Sequence, residues 1–298
     1  MRAPALRALG LLTGWGNGAA AVPADARRAA DGRAVLSLGR PHREGERWRR
    51  ATREGLLALA AVEAALDDAG AGREAIAGER TALVYVTAAA YVPSNHRFIE
   101  GRGGSIHFAE TAPAVVPAEV AIELGLSGPY SIFIGGPPAT LRAIAHAARL
   151  LDQGAADRAL VLAVEIFEEC ADLYARSRRL MDAPLVEAAA CLWLEPGRGE
   201  LSVGPPAADE PANHGAGATI AVRRRRSEPS RARGLGETFS VEPLVYLDEW
   251  RQGSALGTLE LTGRWRSEVL RLVWTEVMAS GSSPQPAPST AAASQEAT

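Results

Sequence analysis

Lysine is absent from this chain: all 32 basic residues among its 298 are arginine. That excludes Schiff-base chemistry through a lysine and a Walker-type phosphate lysine; a GC-rich coding bias is explanation enough for the skew. Cysteine is almost as scarce. Cys170 and Cys191 are too few for a disulfide framework, and neither belongs to a Cys-x-x-Cys or a Cys/His cluster. No structural metal site is expected, and both read as buried small hydrophobes. No apolar run approaches the ~18 residues of a membrane span. The net charge of −3 gives no global basic bias toward nucleic acid. The opening stretch Met1 to Leu12 is broken by Arg7 and Gly10, which argues against a secretory signal, so cytoplasmic residence is expected.

What is present is an alternating pattern with 47% hydrophobic residues, enough for one large core or two smaller ones. Leu6 to Leu12 reads as a strand. Trp48 to Ala69 carries Leu56, Leu59, Val62, Ala65 and Leu66 at helical spacing and stops at Gly70. Thr81 to Thr87 is a β-rich run, followed by an irregular segment from Tyr91 to Pro117 and a short helix through Val120 and Ile122. Further strands are expected at Tyr130 to Ile134, Arg158 to Val164 and Ala188 to Leu194. Strands alternating with long helices imply crossover units, a mainly parallel sheet and helices on its faces. Composition shifts after Pro196. Strand candidates there are Glu200 to Val203, Ala218 to Val222, Phe239 to Leu247 and Thr258 to Leu261, and Trp265 to Val277 has a helix-like pattern. The chain therefore divides into an α/β domain over 1–196, an extension of short strands and a helix packing on it over 197–278, and an Ala/Ser/Pro-rich tail over 279–298 expected to be disordered.

The most informative stretch is Tyr130 to Leu151. A short apolar, β-branched run ends at Gly135-Gly136, a turn that tolerates close backbone approach, and Pro137 and Pro138 then stand where a helix begins. Leu141, Ile144, Ala145, Ala148 and Leu151 continue at helical spacing to Gly154. Many α/β enzymes place a nucleophile at such a turn, because helix-terminal N–H groups stabilise a thiolate or an oxyanion. Here two prolines remove two donors. No residue from Gly135 to Ala139 can attack, and Thr140 lies a turn inside the helix without an evident base.

Four segments carry a resemblance: Leu9-Gly-Leu-Leu-Thr-Gly-Trp-Gly-Asn-Gly18, the helix from Arg50-Ala-Thr-Arg-Glu to Gly70, Leu124-Gly-Leu-Ser-Gly-Pro129, and Gly154-Ala-Ala-Asp-Arg-Ala-Leu-Val-Leu-Ala-Val-Glu165. Their order and spacing resemble the N-terminal half of a β-ketoacyl synthase over roughly residues 5–196. The resemblance implies a thiolase-like half with a mainly parallel five-stranded sheet. It also puts the catalytic cysteine at Pro137. The two catalytic histidines and the lysine of such enzymes come from a second half for which the chain has no room. Ala114 stands where the family usually has an asparagine. What remains resembles the shortened chain length factors of type II polyketide and aryl-polyene systems, non-catalytic subunits that pair with an active ketosynthase.

That resemblance implies no catalytic residue and no cofactor. It implies two partners, an active β-ketoacyl synthase subunit and an acyl carrier protein, in polyene, polyketide or fatty-acid-like biosynthesis. Phe108, Thr111, Val115 and Val116 become candidates for walls or gates of the acyl tunnel, or else plain core residues. Phe133, Gly135 and Gly136 join them at the interface with the partner. Arg223, Arg224, Arg225 and Arg226, followed by Arg231 and Arg233, could dock an acidic carrier protein, or form a solvated loop. Asn213-His-Gly-Ala-Gly-Ala-Thr219 superficially resembles a ketosynthase histidine motif but lies too near the nucleophile position, and His214 reads as a loop residue. His42 is expected to be solvated and His146 packed in its helix. His96 and His107 flank Gly101 to Gly104 and either line a pocket or sit in an exposed loop. Two other readings stay open. One is a stand-alone acyltransferase or hydrolase using Cys170 or a serine, although the acidic Glu168-Glu169 beside Cys170 should discourage a thiolate. The other is a purely structural ketosynthase scaffold.

Overall fold

The computed structural model describes residues 4–49, 51–102, 105–171, 183–197, 201–204, 220–224, 235–253, 257–265 and 268–275. The elements in chain order are β1 (Pro4–Thr13), β2 (Gly16–Asn17), α1 (Ala26–Ala30), β3 (Val35–Leu36), α2 (Glu46–Arg49), α3 (Arg53–Ala69), β4 (Thr81–Thr87), α4 (Val92–Ile99), α5 (Val115–Leu124), β5 (Tyr130–Ile134), α6 (Pro137–Asp152), β6 (Arg158–Glu165), β7 (Leu185–Val186), β8 (Ala188–Pro196), β9 (Leu201–Gly204), β10 (Ile220–Arg224), α7 (Glu242–Gln252), β11 (Thr258–Trp265) and β12 (Glu268–Thr275). Short 3-10 turns lie at Ser105–Thr111, Glu168–Cys170 and Phe239–Val241.

The first sheet has strand order β2-β1-β8-β6-β4-β5. β4 pairs parallel with β5 and β6, whereas β8 runs antiparallel to both β6 and β1. Four of the five long strands thus point one way, which is the mainly parallel sheet the sequence implies, with the two-residue β2 added at one edge. Alternation along the strands divides two apolar layers. Leu83 and Tyr85 of β4, Leu160, Leu162 and Val164 of β6, and Trp193 of β8 face α3 and α5. Val84, Val86, Val161, Ala163, Leu192 and Leu194 face the opposite side, where Leu141, Ile144, Ala147 and Leu151 of α6 meet them.

Helix boundaries follow local chemistry. The Thr52 hydroxyl caps α3 by accepting from the Gly55 N–H at 3.2 Å, and Gly70 ends it in the left-handed region at φ +62°. The Leu124-Gly-Leu-Ser-Gly-Pro129 motif has a similar logic. Gly125 ends α5 at φ +64°, and a side chain on Gly128 would place its Cβ 2.3 Å from the Thr81 carbonyl oxygen. The motif is therefore what lets α5 fold back and deliver β5 beside β4.

The two edges of this sheet differ. On the outer side of β1, the Leu9 N–H donates to the Asp68 carboxylate at 3.0 Å and the Leu11 carbonyl accepts from the Gly18 N–H at 2.8 Å. At the other end β5 pairs with β4 alone among the described residues.

The extension forms a second sheet, order β10-β11-β12-β9, antiparallel throughout. It packs on the far side of α6. Leu259, Leu261, Leu272 and Trp274, none of them exposed, join the same core as Val84, Val161 and Leu192. Three sequence expectations are corrected here. The stretch expected to be a helix, Trp265 to Val277, is strand β12 from Glu268: Leu270, Leu272 and Trp274 alternate with Val269, Arg271 and Val273, a period of two. Phe239 to Leu247, expected as a strand, is a 3-10 turn leading into α7, with Pro243 in the first helical turn and Leu244, Val245 and Leu247 buried. The irregular segment from Tyr91 contains α4, an amphipathic helix with Pro93 in its first turn. The tail over 279–298 lies outside the described residues. Among the described residues no helix is long and apolar enough to cross a membrane.

Candidate functional site

The site is the junction of β5 and α6. Gly135 donates its N–H to the Thr87 carbonyl at 3.0 Å, which carries the turn over the end of β4, and Gly136 is the residue before the first helical position. α6 starts at Pro137. Pro137, Pro138, Ala139 and Thr140 are all buried. Proline suits this position because a first-turn N–H has no intrahelical partner, but the same substitution leaves the helix end without those donors for an anion. The hydroxyl nearest the turn is already committed: Thr140 Oγ1 donates to the Ser240 carbonyl at 2.5 Å.

Ser240 belongs to the C-terminal extension and meets Glu165, the last residue of β6, which has no exposed surface. The Glu165 carboxylate accepts from the Ala88 N–H at 2.6 Å, the Ala89 N–H at 2.8 Å, the Ser240 N–H at 3.2 Å and the Ser240 hydroxyl. Burial pushes its carboxyl up to about 7 against the pull of these donors. Around it lie two more raised carboxyls. Burial raises Glu237, whose Oε1 accepts from the Phe239 N–H at 2.8 Å. Burial, helped by the charge of Glu237, pushes Glu242 up to about 7. Phe239 takes φ +45° and sets its ring edge-on to fully buried Phe167, 5.4 Å between centroids.

Behind this turn, Arg53 holds a charged knot. Its guanidinium donates to both oxygens of Glu169 at 2.6 and 2.7 Å and both oxygens of Glu187 at 2.6 and 2.7 Å. Glu187 also accepts from the N–H groups of Leu38, Phe167 and Glu168. Cys170 is buried beside this knot, and burial, with the charges of Glu169 and Glu187, pushes its thiol up to about 12. Burial does the same to Cys191. Neither sulfur is a nucleophile near neutral pH. Sequence reasoning missed Glu165, Ser240 and the Arg53 knot. Only Glu165 carried a signal, an acidic residue closing an otherwise apolar strand.

The structure does not bring the interface candidates together on one surface. Tyr130 and Ile134 are about half exposed, and Ile122 of α5 and Ile99 of α4 are 71% and 80% exposed. An apolar groove of about 360 Å³ lies between α5 and the start of β5, lined by Leu83, Ala114, Ala118, Ile122, Leu126 and Tyr130. Phe108 is 64% exposed and packs on Phe98 at 5.5 Å, while the Thr111 hydroxyl donates to the Phe108 carbonyl at 2.7 Å. Val115 is half-buried at the start of α5, and Val116 is buried in the core against α3. Phe133 points the other way, toward α6, with its ring 5.7 Å from His146, which in turn pairs with the Ser131 hydroxyl at 3.0 Å. Burial, then Arg149, lowers the His146 pKa. His96 approaches Glu100 at 3.2 Å. Arg223 and Arg224 stand opposite Glu260 and Leu259 in the β10–β11 ladder, whereas Arg225, Arg226, Arg231, Arg233 and His214 lie outside the described residues. Among the described residues no group of three His, Cys, Asp or Glu side chains is placed to hold a metal ion.

A mainly parallel sheet that feeds a glycine turn into a buried helix start is an α/β arrangement consistent with a thiolase-like fold. Residues 41–190, half of the chain, match the β-ketoacyl synthase N-terminal domain, and the chain belongs to that family. Similar solved structures include a β-ketoacyl synthase from Burkholderia phymatum, 18% identical with a TM-score of 0.51 over 66% of this chain and 59% of that one. The ishigamide ketosynthase/chain length factor structure is 15% identical with a TM-score of 0.61 over 93% of this chain and 100% of the matched chain. A ketosynthase in complex with its chain length factor from Xenorhabdus doucetiae is 14% identical with a TM-score of 0.54, covering 92% and 99%. At these identities the likeness is one of fold. This chain spans less than two thirds of the Burkholderia enzyme. No curated protein sequence matches it.

Proposed function

We propose that this chain is a catalytically silent ketosynthase-like subunit, a chain length factor, that pairs with an active β-ketoacyl synthase and shapes its acyl tunnel. The observation that carries the reading is Pro137 at the first position of a buried helix in a chain that matches the family's N-terminal domain. Decarboxylative condensation needs a thiolate there, and no other group in that turn can replace it. Two further features support the reading. The chains matched over almost their whole length come from ketosynthase/chain length factor structures. And β5, Tyr130-Ser-Ile-Phe-Ile134, presents an apolar edge that is unpaired among the described residues, of the kind that lone soluble subunits usually blunt.

In this reading the partner covers β5 and the groove beside it. Phe108, Thr111, Val115 and Val116, with Phe133, Gly135 and Gly136, form the tunnel-side set, and side-chain volume among them sets product length because a methylene that overlaps protein atoms costs about 1–3 kcal/mol. The Arg223 to Arg226 run steers an acidic acyl carrier protein toward the pair. The product is a polyene, polyketide or fatty-acid-like chain, and the pair works in the cytoplasm. Use of Cys170 by a stand-alone acyltransferase is disfavoured by a thiol held protonated to about pH 12.

The test is co-expression with a ketosynthase encoded beside it. The expected result is a 1:1 complex that condenses only through the partner's cysteine. A stable, well-folded monomer that forms no complex, or condensation turnover by this chain alone, would refute the reading.

A further inference from the structure

The place where a family member would receive its acyl thioester lies above the first turn of α6, at the ends of β4 and β6. Residues 237–242 cross it as one turn, and Thr238, Ser240 and Val241 have no exposed surface. Ser240 is gripped from both sides: Thr140 of α6 donates to its carbonyl, and its N–H and hydroxyl both donate to Glu165. The turn is rooted at its near end, where the Glu237 N–H donates to the Pro184 carbonyl at 2.9 Å and the Val186 N–H to the Glu237 carbonyl at 2.9 Å. Phe239 adopts a backbone conformation unusual for an aromatic residue and directs its ring onto Phe167. Such an outlier persists where the surroundings over-determine it.

We propose that residues 237–242 are an internal plug: the chain fills its own condensing-site cavity with its own C-terminal turn, so no acyl thioester enters this subunit. The loss of the nucleophile and the loss of the cavity are then two separate modifications. Restoring sulfur at the helix start would not restore access. The inference deepens the proposed function at the same site, but the two fail separately, because complex formation is read by co-purification and the plug by thiol chemistry.

The experiment is Pro137→Cys in the full chain, with its ketosynthase partner bound if one is required, treated with iodoacetamide and mapped by peptide mass spectrometry. Proline is not needed for the helix start, so the variant is expected to fold. With the turn intact, the introduced thiol should react roughly 100-fold more slowly than in urea, because alkylation must await local opening. Adding Phe239→Gly, which suits the positive φ and removes the ring, should speed it at least about 10-fold while Cys191 stays protected. Ser240→Ala, which removes the hydroxyl grip on Glu165, is a milder second opening variant with the same expectation. A fast-reacting thiol in Pro137→Cys alone overturns the proposal. So does a thiol that remains equally protected in both opening variants, since some other element would then be the cover.

Discussion

Two residues carry charge chemistry that solution measurements can read directly. Glu242 has its carboxyl raised from the ordinary 4.5 to about 7, first by burial and then by Glu237. The folded state therefore holds that proton to higher pH than the unfolded state. Its contribution is fully present below about 4.5 and is lost as pH rises through about 7. Glu242→Gln keeps the neutral shape, so it should flatten its share of that decline and stabilise the protein at pH 8 by roughly 1–3 kcal/mol, with little change at pH 4. Urea midpoints at the two pH values check this, and equal shifts at both would contradict it. Arg53→Met strands Glu187, which is fully buried, and should remove roughly 3–5 kcal/mol of stability. In the double variant Glu187→Gln should recover part of that loss, since its amide oxygen still accepts from the Phe167 and Glu168 N–H groups without the charge. A denaturation cycle showing simple additivity would rule the coupling out. At this scale the sequence was half legible. Pro137 was visible because a missing nucleophile is a local fact, but the Ser240–Glu165 contact joins residues 75 apart and leaves no spacing to read.

Among the elements, β5 is the one whose environment is incomplete. Its inner face is settled by Phe133 and Ser131 against His146, while Tyr130 and Ile134 remain open. Ile134→Lys should therefore leave the isolated subunit's circular dichroism and melting temperature nearly unchanged while weakening the ketosynthase complex at least about 10-fold by titration calorimetry. Unchanged affinity would place the interface elsewhere. β4, β5 and the start of α6 were legible from sequence to the residue, because β4 and β5 are short runs of apolar and β-branched residues and Gly135-Gly136 and Pro137 mark where β5 ends and α6 begins. The exchange of helix and strand in the extension has a physical cause. α7 is short and mostly buried, so its apolar residues mask the helical period, and β12 alternates arginine and valine on one face in a way that also satisfies a loose helical count. α4 is only eight residues long, and it is held where Ser94 reaches the buried Glu54 carboxylate at 3.1 Å and Asn95 bonds to Thr111.

For the whole molecule, the extension is a structural layer. α6 lies between two sheets, and removing the second would expose Leu141, Ile144 and the neighbouring strand residues to water. A chain ending at residue 196 should lose cooperative thermal unfolding and bind the dye ANS, as compact but loosely packed states do. A sharp calorimetric transition in that fragment would show that the first sheet is independently stable. The sequence marked the change of composition at Pro196 but not that both parts share one interior, because contacts between distant segments have no local signature. The unequal borders of the first sheet bear on assembly. Asp68 and Gly18 already occupy the Leu9 N–H and the Leu11 carbonyl on the outer side of β1, so among the described residues of the first sheet the open border is β5. Pairing through β5 is self-limiting, because each molecule offers that border once and a seated mate covers it.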